Sequence, residues 1–257
     1  MIAYRLFRII AHLFAGLLTC ALVFPFTDAA GRHWRIRRWS IKVLAICRVT
    51  VEVSNPYQRD IASPALIIAN HVSWLDIFVI NSTEPCRFVA KSDIRDWPLI
   101  GWLCAQADTI FIARGKQRDV RRIFQGLVSS IHAGERVAFF PEGTTAAQGA
   151  ILPFHANLFE AAVDAHVPIQ PYALRYVDAA GQLHPAADFI GDMSFAQSMI
   201  AIMKAAPMKA ELIQLKSIET AGIHRRDLAA IAHVAIAEAL GQRRPEEQVV
   251  SMASVGN

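Results

Sequence analysis

Apolar positions fall into three patterns along the chain. From residue 9 to 26 the run IIAHLFAGLLTCALVFPF is broken only by His12 and Thr19; as an α-helix it would reach about 27 Å, close to the hydrocarbon thickness of a bilayer. A second stretch, WSIKVLAICRVTVEV from 39 to 53, keeps Ile41, Val43, Leu44 and Ile46 apolar but is interrupted by Lys42 and Arg48. That pattern fits an amphipathic interfacial helix or the start of a core. From residue 64 onward, short β-rich runs alternate with helical ones. ALIIA (65–69), CRFVA (86–90), DTIFIA (108–113), RVAFF (136–140) and the run from Val167 read as strands, with AELIQLKSI (210–218) as another. The clearest helix between them is Arg118 to His132, where Val120, Ile123, Phe124, Leu127, Val128 and Ile131 recur at helical spacing before Gly134. DAAGQLHPAAD (178–188) reads as a loop, and Arg225 to Leu240 as a terminal helix stopped by Gly241.

This alternation predicts an α/β fold: a mixed, largely parallel sheet flanked by helices, with an N-terminal membrane-associated helical segment. The expected organisation is 1–54 for that segment, 55–241 for one catalytic domain, and 242–257 for a disordered tail with few large apolar groups. A cleaved signal peptide is a competing reading of the first run, since Arg5 and Arg8 precede it. The arginines that follow, and Thr19 before Cys20, speak against cleavage.

Composition strengthens the membrane reading. The chain is 54% apolar and 19% charged, against about 45–50% and about 25% in ordinary soluble domains. Its net charge of +4 is unevenly placed, with Arg32, Arg35, Arg37, Arg38 and Lys42 crowded directly after the most apolar run. Beside a membrane segment such a cluster favours anionic headgroups. Trp34 and Trp39 belong to the same stretch and mark an interface rather than a nucleic-acid surface, so no nucleic-acid partner is expected. If the first run spans, the positive-inside bias puts the rest of the chain in the cytoplasm, at the inner membrane. Cys20, Cys47, Cys86 and Cys104 include no C-x-x-C pair and read as reduced thiols.

Candidate chemistry begins where ALIIA runs into NHVSWLD, which sets His71 at the carboxyl end of a buried strand and Asp76 about one helical turn further on. A carboxylate at one imidazole nitrogen fixes the tautomer and stabilises the cation formed when the other nitrogen takes a proton. The spacing alone is a weak signal. A second motif, FPEGTT from Phe140 to Thr145, also follows a β-rich run, and Pro-Glu-Gly makes a tight turn at the strand edge where open α/β sheets bind ligands.

NHxxxxD followed by FPEGT resembles the glycerolipid acyltransferase family that includes bacterial 1-acylglycerol-3-phosphate acyltransferases. DTIFIARG, GAILPFHANLF and VPIQP match further blocks in the same order, covering about residues 65 to 175. The resemblance implies that His71 deprotonates a lysolipid hydroxyl, that Asp76 orients His71, and that the acceptor oxygen attacks the thioester of acyl-CoA or acyl-carrier protein. It implies Arg114 as the phosphate contact, with Glu142, Gly143, Thr144 and Thr145 on the acceptor side; Glu142 has a structural anchor as its alternative. Neither a metal nor a cofactor beyond the thioester co-substrate is expected.

One departure bears on the acceptor. Phosphatidate-forming members commonly read FPEGTR, whereas this chain has Thr145, and His155 stands where a lysine is common. The leading expectation is acyl transfer to 1-acyl-sn-glycerol-3-phosphate. Transfer to lyso-ornithine lipid is the alternative, because members with FPEGTT include such enzymes. Readings of another class are a membrane-attached lipid-binding protein on an inactive fold, and a metal-dependent hydrolase using His71, Asp76, Glu142 and His155.

Overall fold

Two helices open the chain in the computed structural model, which describes residues 2–56, 65–112 and 126–241. Helix α1 (Ile2–Leu22) starts ahead of the apolar run. It ends before a 3-10 turn at Phe24–Phe26, whose Pro25 has no N–H with which to continue a helix. Asp28 then caps α2 (Ala29–Cys47), its carboxylate accepting the Gly31 N–H at 2.8 Å. Gly16 leaves room on α1 for the Trp39 indole of α2. There Trp39 Nε1 donates to His12 O at 3.2 Å, and the two rings stack at 5.0 Å. The outward face of α1 carries Tyr4, Phe7, Ile10, Phe14, Leu18 and Leu22, all exposed. The helix is long and apolar enough to cross a membrane.

The expected interfacial helix over 39–53 holds only as far as Cys47. Arg48 turns left-handed at φ 60°, and Val49–Ser54 form strand β1. The apolar character of 49–53 thus serves the sheet. Strands β2 (Leu66–Ala69), β3 (Arg87–Lys91), β4 (Ile110–Ile112), β5 (Val137–Phe139), β6 (Ile169–Val177) and β7 (Met208–Gln214) complete it. The strand order is β1-β7-β6-β2-β5-β3-β4. Every neighbouring pair is parallel except β6 with β7, so the sheet is mixed and largely parallel, as the alternation predicts.

All four residues of β2 are buried because both of its faces are covered. Ile67 and Ala69 face a core built with Val43 and Leu44 of α2, Leu75 and Val79 of α3 (Leu75–Thr83), and Ile202. Leu66 and Ile68 face the opposite core with Leu127, Phe159, Leu228 and Ile236. Helix α4 (Ile100–Gln106) follows β3. Residues 126–132 are helical and form the described part of α5; the rest of the helix expected from Arg118 lies outside the described residues, as does the tail 242–257. Helix α6 (Glu160–Asp164) leads to β6, α7 (Phe195–Lys204) to β7, and α8 (Arg225–Ala239) closes the described fold. The loop expected at 178–188 does contain a turn, followed by a 3-10 turn at Pro185–Ala187.

Candidate active site

Strands β2 and β5 are parallel neighbours in the register Leu66 to Val137 and Ile68 to Phe139. Their carboxyl ends therefore open on the same edge, and NHVSWLD and FPEGTT meet although some seventy residues separate them. Asn70 fixes the end of β2 to β6: its Nδ2 donates to Leu174 O at 2.9 Å and its Oδ1 accepts the Leu174 N–H at 2.8 Å. His71 then turns toward α3, with its Nδ1 2.8 Å from Asp76 Oδ2.

The Asp76 carboxylate is fully buried and completely engaged. Besides His71, Oδ2 accepts the N–H groups of Val72 at 2.7 Å and Ser73 at 2.9 Å, which point inward as the chain enters α3. Oδ1 accepts the Tyr176 hydroxyl at 2.7 Å. An ionised carboxylate only accepts, so the His71 proton sits on Nδ1 and the lone pair is left on Nε2. The imidazole lies flat on Phe140, with ring centroids 3.9 Å apart and planes 8° apart, and its side chain is 18% exposed. The geometry is that of a base whose orienter is sealed away from water.

Glu142 takes the structural side of its two expected roles. One oxygen accepts the His71 N–H at 2.7 Å, and the other accepts the Leu152 N–H at 2.8 Å. Burial raises its pKa, and the two backbone donors oppose that rise. Gly143 has φ +68°, and a Cβ there would come 3.3 Å from the His155 ring, so the turn needs glycine for its backbone and for the imidazole beside it. Gly143, Thr144 and His155 are exposed at the edge of the site. The Thr145 hydroxyl turns instead to the Phe189 carbonyl. Arg114, the expected phosphate contact, lies outside the described residues.

A family model described as Acyltransferase matches residues 48–175. The lyso-ornithine lipid O-acyltransferase of Pseudomonas aeruginosa is 35% identical over 217 residues, an alignment that covers 84% of this chain and 82% of that relative. The chain belongs to the acyltransferase family. A 1-acyl-sn-glycerol-3-phosphate acyltransferase of Neisseria meningitidis serogroup B is 39% identical over 140 residues, and that match spans about half of each chain, 54%. The fold matches a 1-acyl-sn-glycerophosphate acyltransferase of Thermotoga maritima with a TM-score of 0.68 over 93% of both chains, at 18% identity.

As an O-acyltransferase of lipid metabolism, the protein pairs an acyl donor with a lipid acceptor, and its apolar N-terminal helix associates it with a membrane. Among the described residues of this acyltransferase, no three His, Cys, Asp or Glu side chains gather where they could hold a metal ion. His155 instead packs beside Gly143, its own N–H donating to Pro141 O at 2.9 Å.

Sequence reasoning missed Tyr176 and the loop around Phe189. The Phe189 N–H donates to Val72 O at 3.1 Å, and Gln148 joins the same loop through the His184 carbonyl at 3.0 Å. No spacing in the sequence links these positions to NHVSWLD. The Glu142 geometry carries a prediction for the acyltransferase. Glu142→Gln keeps the side-chain shape but presents an NH2 group to one of the two backbone donors. We expect kcat to fall about tenfold, with a loss of about 1–3 kcal/mol in stability from the unpaired buried amide. Steady-state kinetics with a thermal melt checks both, and an unchanged kcat in a folded Glu142→Gln variant would contradict the anchoring role.

Proposed function

We propose that this acyltransferase moves a fatty acyl group from acyl-CoA or acyl-carrier protein to the free hydroxyl of a membrane lysophospholipid, with 1-acyl-sn-glycerol-3-phosphate as acceptor and phosphatidate as product. The observation that carries the reading is the His71 Nδ1 to Asp76 Oδ2 contact of 2.8 Å, on a partly exposed imidazole beside FPEGTT. His71 Nε2 takes the acceptor hydroxyl proton as that oxygen attacks the thioester carbonyl. The tetrahedral intermediate collapses with cleavage of the C–S bond, and the departing thiolate takes the proton back from the imidazolium. No acyl-enzyme is required. Arg114 is proposed to meet the acceptor phosphate, where a guanidinium fork matches phosphate oxygens. Gly143 and Thr144 border the acceptor.

The site is proposed to work at the cytoplasmic face of the inner membrane. The concentration of Arg32, Arg35, Arg37, Arg38 and Lys42 just past α1 supports that orientation. There the lysolipid arrives laterally in the bilayer, while the thioester comes from water.

A second acceptor, lyso-ornithine lipid, is favoured by one observation: the Thr145 hydroxyl is bonded to the Phe189 carbonyl and adds no charge for a phosphate. Lyso-ornithine lipid relatives also align over more of the chain than the Neisseria relatives do. The full-length protein in mixed micelles, offered one labelled acyl thioester with lysophosphatidate, lyso-ornithine lipid and lysophosphatidylcholine in parallel, separates the readings. Fastest transfer to lysophosphatidate is the expected result. If lysophosphatidate is the slowest acceptor, the phosphatidate reading fails while acyl transfer stands.

A further inference from the structure

We propose that Tyr176 is a positioning residue for acyl transfer, holding the Asp76 carboxylate in the one rotation that serves His71 and tempering its charge. This rests on the reading of His71 as the base.

Three of the four donors to Asp76 converge on a single oxygen. His71 Nδ1, Val72 N and Ser73 N all reach Oδ2, at 2.8, 2.7 and 2.9 Å. The terminal torsion of a carboxylate is soft, so donors gathered on one oxygen leave the plane of the group poorly fixed. The Tyr176 hydroxyl, 2.7 Å from Oδ1, supplies the second fixed point. It is the hydrogen bond that the sealed pocket gives that oxygen among the described residues; without it Oδ1 is a buried acceptor with no donor.

Tyr176 is itself held on all sides. It lies on β6 opposite Ala210 of β7 and is fully buried. Its N–H donates to Gln148 Oε1 at 2.6 Å, and its carbonyl accepts the His184 N–H at 2.9 Å. Burial, reinforced by the Asp76 charge, pushes the phenol well above its ordinary range, so the hydroxyl stays a donor. The other titratable groups facing this cluster are Glu142, bonded to the His71 N–H, and Cys47 at the end of α2, whose thiol burial pushes up to about 12 and keeps neutral.

A donor on Oδ1 draws charge away from Oδ2 and so weakens the pull of Asp76 on the imidazolium. Removing that donor makes the His71 imidazolium easier to form and the carboxylate looser. For Tyr176→Phe in the full chain we expect kcat to fall roughly tenfold, since a lost charge-assisted hydrogen bond is worth about one such factor. KM for both substrates should stay within about twofold. The acidic limb of the kcat/KM profile should move to higher pH, by roughly half a unit, because His71 then loses its proton only at higher pH.

Tyr172→Phe is the control. Tyr172 shares the same face of β6, four residues earlier, but its hydroxyl lies near Gln214, Cys86 and Arg136. That variant should keep the wild-type kcat and acidic limb. Incorporation of 3,5-difluorotyrosine at position 176 keeps the packing and strengthens the donor, and should move the limb to lower pH; this arm decides the matter even if Tyr176→Phe does not fold. The proposal is overturned if Tyr176→Phe matches wild type in kcat and acidic limb, if Tyr172→Phe reproduces its defect, or if the fluorinated residue leaves the limb in place. Full activity in His71→Ala would instead remove the reading beneath it.

Discussion

Replacing His71 with alanine is expected to lower kcat for acyl transfer by about 10²- to 10⁴-fold, the usual worth of a positioned general base. The fold should tolerate the change, because the polar ties at this position are made by its backbone. Its N–H donates to Glu142 and its carbonyl accepts the Ala146 N–H at 2.8 Å. What disappears is the imidazole, its stack on Phe140 and its bond to Asp76. The measurement is initial rate with labelled thioester, alongside a thermal melt and vesicle co-sedimentation. Membrane binding should be unaffected, since the apolar face of α1 and the basic residues of α2 are elsewhere. Wild-type turnover by a folded His71→Ala protein would sink the base mechanism.

Asp76 gives the second large effect, and two substitutions divide it into charge and structure. Asp76→Ala leaves the Val72 and Ser73 N–H groups, His71 Nδ1 and the Tyr176 hydroxyl facing a pocket with no acceptor. At a fully buried position this should cost roughly 3–5 kcal/mol of stability, as when one partner of a buried pair is removed. Asp76→Asn behaves differently. The two backbone amides select the amide oxygen at the Oδ2 position, so His71 keeps its tautomer, and the new NH2 faces Tyr176 Oη, which can turn to accept it. The geometry survives and the negative charge does not. We expect kcat to drop about 10²- to 10³-fold in a protein that melts near wild type, because the imidazolium has lost its counter-charge. Combining Asp76→Asn with His71→Ala should add little to the His71 loss, as for residues that act as one unit. Near-normal rates in Asp76→Asn would show that orientation alone suffices.

These outcomes bear on the acceptor as well. Neither His71 nor Asp76 is expected to discriminate between lysophosphatidate and lyso-ornithine lipid, because both act at the hydroxyl and neither at the headgroup. Variants of these two residues should therefore lose activity toward every acceptor in parallel. A selective loss would place one of them in headgroup recognition.

Several elements were legible in the sequence for clear physical reasons. β2, β5 and β6 are short apolar runs because both sheet faces are covered, and the terminal helix announced itself by its spacing and Gly241. β1 was hidden because apolar residues next to a membrane-like segment suit a sheet edge and a lipid interface equally well. α7 had a readable start that went unused. Ser194 and Gln197 form a capping box, with Met199, Ile202 and Met203 at helical spacing behind it.

The same division runs through the site. Sequence by itself determined the candidate base, its carboxylate and the FPEGTT turn, because chemistry carried on a strand end and the adjoining helix turn is local, and local spacing is written in the chain. It also determined the greasy N-terminal helix, which needs nothing but length and composition. Only the tertiary structure decided what surrounds them. Parallel pairing of β2 with β5 turned the Glu142 carboxylate onto the His71 backbone. Pairing of β6 with β2 carried Tyr176, one hundred residues along the chain, onto Asp76. The loop after β6 took the Thr145 hydroxyl. Such partners depend on which strands become neighbours, and that is set by the burial of both sheet faces together and not by the spacing of any one motif.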